Sequence, residues 1–428
     1  MATFDAVVLG AGPAGLGAGL ALARAGARPL VVDPADEVGG LCVTRRRDGF
    51  AYDVGGHIPF VRDPARRAWL ESLLGDELVW VGRPVSCVID GAIRRGRYLD
   101  QRPGGGGDGR VWHGAAGEGT ARGELAARFG GPFVDRVMRP YLEKVDGVPL
   151  ERIPAERARR LLEDQAAPDG FVFPARGIGQ LMDAMAGAAV AAGAEVRLGT
   201  RVTRIEVPDG ALAAVALAGP RGEEVVEVRQ AVVAMPAAAA ARMLTPAPPG
   251  ATTRGVRMRA VCIVYLALDR ERLTDEPWIQ VDHPAVPFAR MFEPRNWSDA
   301  LAPPGRTILG LECYCQAEAG DPVWSLGDTE LGRLCAAALA DPLGLLDDPA
   351  AARPVEVLRV ARAYPMADAG QMAAVRAPAE WLADLNGVHL APGAAVIEAV
   401  EGGERAAAAI LAGIRGPEVP EDPATTLP

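Results

Sequence analysis

Residues 5–33 run through an apolar strand, a glycine turn, a helix and a second apolar strand, an order that few folds accept at this spacing. Asp5-Ala6-Val7-Val8-Leu9 reads as a short parallel strand covered on both faces. Gly10-Ala11-Gly12-Pro13-Ala14-Gly15 follows directly, a helix is expected over about 14–25, and residues 29–32 form a second strand ending at Asp33. Gly10 permits the tight turn, Gly12 lets the backbone approach a pyrophosphate, and Gly15 allows the helix to pack closely on the strand. The exposed amides and the helix dipole then face phosphate. Asp33 lies eighteen residues beyond Gly15, where a carboxylate accepts hydrogen bonds from both hydroxyls of an adenosine ribose. Together these features predict a dinucleotide site. The competing reading is a glycine-rich turn without a ligand.

The bulk properties narrow the field. At 428 residues, two interlocked domains are expected. A net charge of -10 argues against nucleic acid or an anionic membrane surface as the main partner. Lys144 is the single lysine against many arginines, which in an Ala-, Gly- and Pro-rich chain reads as coding bias in a GC-rich bacterial genome. The six cysteines (Cys42, Cys87, Cys262, Cys313, Cys315, Cys335) lack metal-ligand spacing, and with four scattered histidines they predict reduced thiols and no metal site. The strand beginning at Phe4 predicts no leader peptide, and no apolar run approaches the ~20 residues needed to span a bilayer. A soluble, cytoplasmic protein acting on a small molecule is expected, and a homodimer is compatible with the sequence.

Further along, 101–123 is glycine-dense and aperiodic, a predicted mobile loop, and Gly104 to Gly107 follows no strand and opens no helix. From 124 to 165 the pattern is helical, with Leu125, Phe129, Phe133, Val137 and Tyr141 four residues apart. Strands are expected at 195–207, 225–235, 257–268, 307–315, 355–363 and 388–391, with helices at 328–339 and about 397–412. The predicted fold class is α/β: a discontinuous, mostly parallel Rossmann-like dinucleotide-binding domain with an inserted α+β substrate domain of antiparallel sheet and helices. Expected boundaries are 1–88, 191–250 and 379–414 for the dinucleotide-binding domain, 89–190 for a helical insertion, 251–378 for the antiparallel substrate domain, and 415–428 for a disordered tail.

Six blocks resemble the FAD superfamily of amine oxidases, protoporphyrinogen oxidases, carotenoid desaturases and UDP-galactopyranose mutases. Glu37-Val38-Gly39-Gly40-Leu41 is similar to that superfamily's second glycine pair, and Phe50-Ala51-Tyr52-Asp53-Val54-Gly55-Gly56-His57 to its segment beside the flavin. Arg139 to Gly147 resembles the "P-Y-x-x-K-V-W-G" helix end, and Phe173 to Gly179 the "Y-P-x-G-G" helix entry. Ala363-Tyr364-Pro365 is similar to the "A-Y-P" before the final cofactor segment, and Val396 to Ala407 to the closing helix. The resemblance implies FAD, held by Gly10, Gly12, Pro13, Ala14, Gly15, Asp33, Gly39, Gly40, Leu41, Gly55, Gly56, His57, Val202, Gly393, Val396 and Ile397. Three positions depart from the pattern: Val43 stands where a phosphate-binding Arg is common, Pro392-Gly393 replaces "G-D", and Asp146 replaces the Trp. Each loss weakens FAD binding by about 1–3 kcal/mol, the typical value of a charged hydrogen bond.

Flavin carries its own redox chemistry, so the chain need supply only position, electrostatics and a cavity. His57 is the candidate catalytic residue, read either as a partner of flavin or substrate near neutral pH or as a loop histidine satisfied by backbone. Lys144 reads as a solvated or ion-paired helix-end lysine. Arg176, Arg290 and Arg295 are candidates to grip an anionic group, with solvated arginines as the alternative. Trp278, Tyr314 and Trp297 are candidate aromatic walls or core, and His113 is expected to be exposed and inert. No second strand-associated glycine motif exists to hold NADPH, which points to oxygen or a diffusible acceptor. The leading expectation is an FAD-dependent oxidase, dehydrogenase or desaturase. The others are a redox-neutral sugar mutase, for which no clear set of tyrosines and arginine is visible, and a protein that has lost flavin.

Overall fold

The protein is described by a computed structural model covering residues 3–61, 63–82, 85–96, 101, 119–165, 170–247 and 256–415. Most of the expected 101–123 loop, His113 and all but the first residue of the expected 415–428 tail lie outside the described residues. The chain divides into two compact units, the first made of residues 1–41, 182–252 and 378–428, the second of 42–181 and 253–377.

The first unit is built on a five-stranded parallel sheet. Strand Ala6–Leu9 lies at its centre, flanked by Pro29–Val32 and Ala231–Val233, with Glu195–Arg197 and Val388–Leu390 outermost. All four residues of Ala6–Leu9 are buried, as an unalternating apolar run demands of a strand covered on both faces. The first helix, Pro13–Arg24, and the last, Val396–Arg415, approach unusually closely because small residues meet. A Cβ on Gly403 would overlap the carbonyl of Ala14, and one on Gly17 would press on Val400. A four-stranded sheet of residues 201–245 completes the unit. In it Val202, Ile205, Val215 and Leu217 share an apolar core with Val7, Leu9, Leu30 and Val233.

The second unit carries a seven-stranded, mostly antiparallel sheet. Its strand order is Arg353–Pro365, Met258–Leu268, Thr307–Cys315, Arg290–Phe292, Trp278–Val281, Ser86–Ile89 and Ala92–Arg95. Helix Asp328–Ala340 covers one face through Leu331, Cys335 and Leu339. The other face carries Tyr265, Phe292 and Tyr314, packed with the helical region through Leu125, Val137 and Tyr141. Residues 42–88, expected with the first FAD-binding segment, belong to this unit because Ser86–Ile89 pairs with Trp278–Val281 and Leu78–Gly82 with Gly170–Pro174.

The expected 124–165 helix is broken. It runs as Ala121–Phe129, a turn at Gly130, a π-helical turn Val134–Met138, then Arg139–Asp146 and Ala155–Gln165. A strict four-residue spacing drifts about 40° per step around a 3.6-residue helix. The break and the wide π turn return Val137 and Tyr141 to the core side, where both are buried.

Candidate functional site

In the first unit the glycine turn forms a groove. Gly10 has φ +116°, open to glycine alone, and its amide donates to Val32 O at 2.8 Å. Among the described residues no side chain caps the first helix, whose N-cap is Gly12, and its first turn holds no acidic residue. Its leading amides are therefore left for an outside acceptor. The 33–41 segment closes over this turn through Gly39 N–H to Ala11 O at 2.8 Å. Gly12 and Gly40 face each other, and a Cβ on Gly40 would stand 3.5 Å from Gly12 Cα, so side chains here would narrow the groove. Asp33 is half-buried and fixed at the strand end: Ala11 N–H donates to one carboxylate oxygen at 2.8 Å and Ala35 N–H to the other at 2.9 Å. Backbone donors, a cradle free of side chains and a pinned carboxylate fit the diphosphate and ribose of a dinucleotide.

The remaining first-unit candidates contribute differently. Leu41 is exposed, whereas the side chains of Val202, Val396 and Ile397 are buried and leave only their backbones for a ligand. Gly393 precedes the last helix, where Ala394 and Ala395 amides donate weakly to Glu398 at 3.3 and 3.4 Å. A Cβ on Gly393 would collide with the backbone of Ala399.

The second unit gathers Gly55, Gly56 and His57 beside the sheet. Gly56 N–H donates to Glu312 Oε1 at 3.2 Å, and a Cβ on Gly56 would strike the Trp278 ring. Among the described residues, the buried His57 Nδ1 has no hydrogen-bond partner. Burial lowers the imidazole pKa below its ordinary value, against the opposing pull of Glu312, so the ring is neutral at pH 7.

Gln280, Arg290 and Glu312 stand opposite one another on three adjacent strands. Arg290 Nε donates to the Tyr141 hydroxyl at 2.9 Å, and its Nη1 lies 3.4 Å from Glu312 Oε2. Gln280 Nε2 donates to the same Tyr141 hydroxyl at 3.2 Å, while the buried Gln280 Oε1 has no partner among the described residues. Tyr314 donates to Glu312 at 2.7 Å, and the guanidinium lies over the rings of Trp278 and Tyr314. The result is a charge-balanced, rigid polar surface with aromatic walls.

Behind it, Asp53 holds the flanking segment. It accepts from Thr44 Oγ1 at 2.6 Å and from Ile178 N–H at 3.1 Å. Burial raises its carboxyl pKa to about 7, while the bonds from Thr44 and Ile178 oppose the rise.

Residues 120–411 match the family model of flavin-containing amine oxidoreductases. The chain belongs to that family. Residues 8–73 of this amine oxidoreductase match an NAD(P)-binding Rossmann-like domain. It is 45% identical over 53 residues to all-trans-retinol 13,14-reductase of Danio rerio, a stretch covering 12% of this chain and 9% of that protein. Its fold resembles reduced UDP-galactopyranose mutase with a TM-score of 0.74, at 19% identity over 96% of each chain. Putrescine oxidase bound to putrescine gives a TM-score of 0.66 at 19% identity, over 96% of this chain and 99% of that one.

The other sequence candidates separate within this amine oxidoreductase. Arg290, Trp278 and Tyr314 come together. Arg295 instead holds the loop carbonyls of Ala302 and Pro303, Arg176 is exposed and pairs with Glu77, and Trp297 packs on Phe292 in the core. Lys144 is half-buried and donates to backbone carbonyls, and Glu143 bonds Arg139 and Leu150 N–H instead. Asp146, in place of the expected Trp, pairs with Arg157 at 3.3 Å. Val43, where the resemblance led one to look for an Arg, is a buried apolar side chain. Gln280 and Glu312 escaped the sequence reading. Period-two alternation with Tyr314 marks Glu312, a lone carboxylate in the otherwise apolar run Thr307–Cys315.

Proposed function

We propose that this amine oxidoreductase binds FAD and takes hydride from a small organic substrate, as an oxidase, dehydrogenase or desaturase of a bacterial biosynthetic pathway. The observation that carries this reading is the side-chain-free groove of Gly10, Gly12 and Gly40 beside the pinned Asp33 carboxylate. The leading amides of the first helix hold the diphosphate, Asp33 the adenosine ribose, and the Gly39–Leu41 backbone closes the phosphate loop. Gly393, Val396 and Ile397 of the same unit offer backbone to the remaining cofactor atoms. FAD, when bound, supplies a two-electron acceptor. Neutral His57 offers a ring nitrogen without a partner among the described residues, suited to exchange a hydrogen bond or a proton with a substrate. Arg290, Gln280 and Glu312 orient the polar part of that substrate while Trp278 and Tyr314 wall its apolar part. Oxygen or a diffusible acceptor completes the cycle.

The visible spectrum of the purified protein, taken anaerobically with a substrate panel, tests this reading. Flavin colour that bleaches with substrate supports it. A colourless protein that FAD cannot reconstitute sinks it and favours the reading in which flavin has been lost.

A second reading, redox-neutral turnover of a nucleotide sugar, is favoured by the meeting of Arg290 with Tyr141 and Tyr314, a set not visible in the linear sequence. Activity that appears after dithionite reduction, with no net redox change, would select it.

A further inference from the structure

Lys144 lies in the last turn of helix Arg139–Asp146, and its ammonium is caged by backbone carbonyls of one turn. It donates to His283 O at 2.9 Å, Val286 O at 3.0 Å and Phe288 O at 3.2 Å, with Val281 O at 3.5 Å. An ammonium has three protons to give, so these carbonyls saturate it. The turn joins strand Trp278–Val281 to strand Arg290–Phe292, the strands that carry Gln280 and Arg290.

Tyr141 lies three residues before Lys144 on the same helix face, and its hydroxyl receives both Gln280 and Arg290. The helix therefore grips this hairpin twice, at the turn through Lys144 and on the strands through Tyr141. From the neighbouring strand Met258–Leu268, Arg259 donates to the carbonyls of Lys144 and Val145 and fixes the helix end.

We propose that Lys144 is a positioning residue that locks the 282–289 turn to the helix, so that Tyr141 meets Gln280 and Arg290. It acts through those side chains. Its bearing on turnover rests on the functional reading above; the lock itself does not.

The cage is pH-sensitive. Burial pushes the ammonium down to about 8, while Asp282 on the turn and Cys313 on strand Thr307–Cys315 pull it back up. Asp282 is itself pushed up to about 6 by burial, with Asp90 adding to the rise. Above that range Lys144 loses a donor, and the turn loosens.

Hydrogen exchange on the full chain tests the lock, with the 201–227 sheet as the reference segment. Lys144→Met is expected to speed exchange across 281–290 by about tenfold, the equivalent of one buried charged hydrogen bond, and to leave the reference unchanged. In Lys144→Ala, propylammonium, but not tetramethylammonium, should restore protection. In the wild type, exchange corrected for its intrinsic pH dependence should rise through pH 8, and Lys144→Met should lack that inflection. Unchanged exchange in Lys144→Met, or equal loss in both segments without propylammonium rescue, overturns the proposal. Should both variants fail to fold, the wild type decides. A ¹⁵N-lysine label gives one side-chain resonance, and titration near the ordinary value of about 10.4 would overturn the caged lysine. None of these readouts needs flavin, so a colourless protein would refute the functional reading and leave the lock to its own test.

Discussion

Arg290 Nε lies 2.9 Å from the Tyr141 hydroxyl and donates to it, fixing a guanidinium that also stands against the buried Glu312 carboxylate. A buried ion pair holds its geometry only when its remaining polar atoms are satisfied. Tyr141 is thus what keeps Arg290 aimed. Tyr141→Phe should cost about 1.5–3 kcal/mol of stability by urea denaturation, the value of a hydrogen bond to a charged group. The same variant should lower substrate-dependent flavin bleaching more than it lowers flavin content. An unchanged urea midpoint would show that Arg290 finds another acceptor.

Asp53 makes the pH dependence of stability a direct readout of burial. Its folded pKa of about 7 lies above the ordinary carboxylate value, so the folded protein binds this proton more tightly than the unfolded chain. The resulting stabilisation is complete below the unfolded pKa of about 3.9 and is lost as pH rises through 7. Asp53→Asn keeps an acceptor for Ile178 and Thr44 and should flatten this slope between pH 4 and 7.5. Melting temperatures across that range for both proteins give the comparison, and parallel curves would refute it.

How much of this was legible depended on whether a feature is local. The Gly10–Gly15 turn, the strand ending at Asp33 and strand Thr307–Cys315 were readable because their determinants are contiguous: glycines at fixed spacing and unbroken apolar runs. The Gln280–Arg290–Glu312 row was not, because cross-strand register is set by pairing of segments far apart in sequence. Lys144 was misread for a related reason. Its partners are main-chain carbonyls of a distant turn, which leave no residue-type signature.

Gly12 separates cofactor approach from fold stability. Its backbone is ordinary for any residue, with φ −76° and ψ −174°, and an added Cβ would meet its nearest neighbour, Gly39 O, at 3.8 Å. Gly12→Ala should therefore leave the melting temperature nearly unchanged. A methyl group in the groove would nonetheless hold a diphosphate away from the amides, and FAD affinity should fall by about tenfold or more, the value of one charged hydrogen bond. By contrast, Gly15→Ala should fail to fold, since its Cβ would overlap the Gly10 carbonyl. Equal FAD content in wild type and Gly12→Ala, measured by flavin absorbance after dialysis, would mean that the diphosphate lies elsewhere.

His57 gives the sharpest test of the chemistry. Burial outweighs the attraction of Glu312 and moves the imidazole below its ordinary value, so the neutral ring is the favoured form between pH 6.5 and 8. Rates of anaerobic flavin bleaching should show no inflection there that disappears in His57→Gln. His57→Gln retains a donor and an acceptor, and should bleach within about tenfold of the wild type if the ring serves through hydrogen bonding. A loss of about 10²–10⁴, the usual contribution of general acid–base catalysis, would instead show that a proton passes through Nδ1. His57→Phe should abolish either role yet fold, because among the described residues Nδ1 has no partner to lose. Should His57→Phe bleach at the wild-type rate, the imidazole would be a packing element alone, and Glu312 would be the next proton acceptor to test.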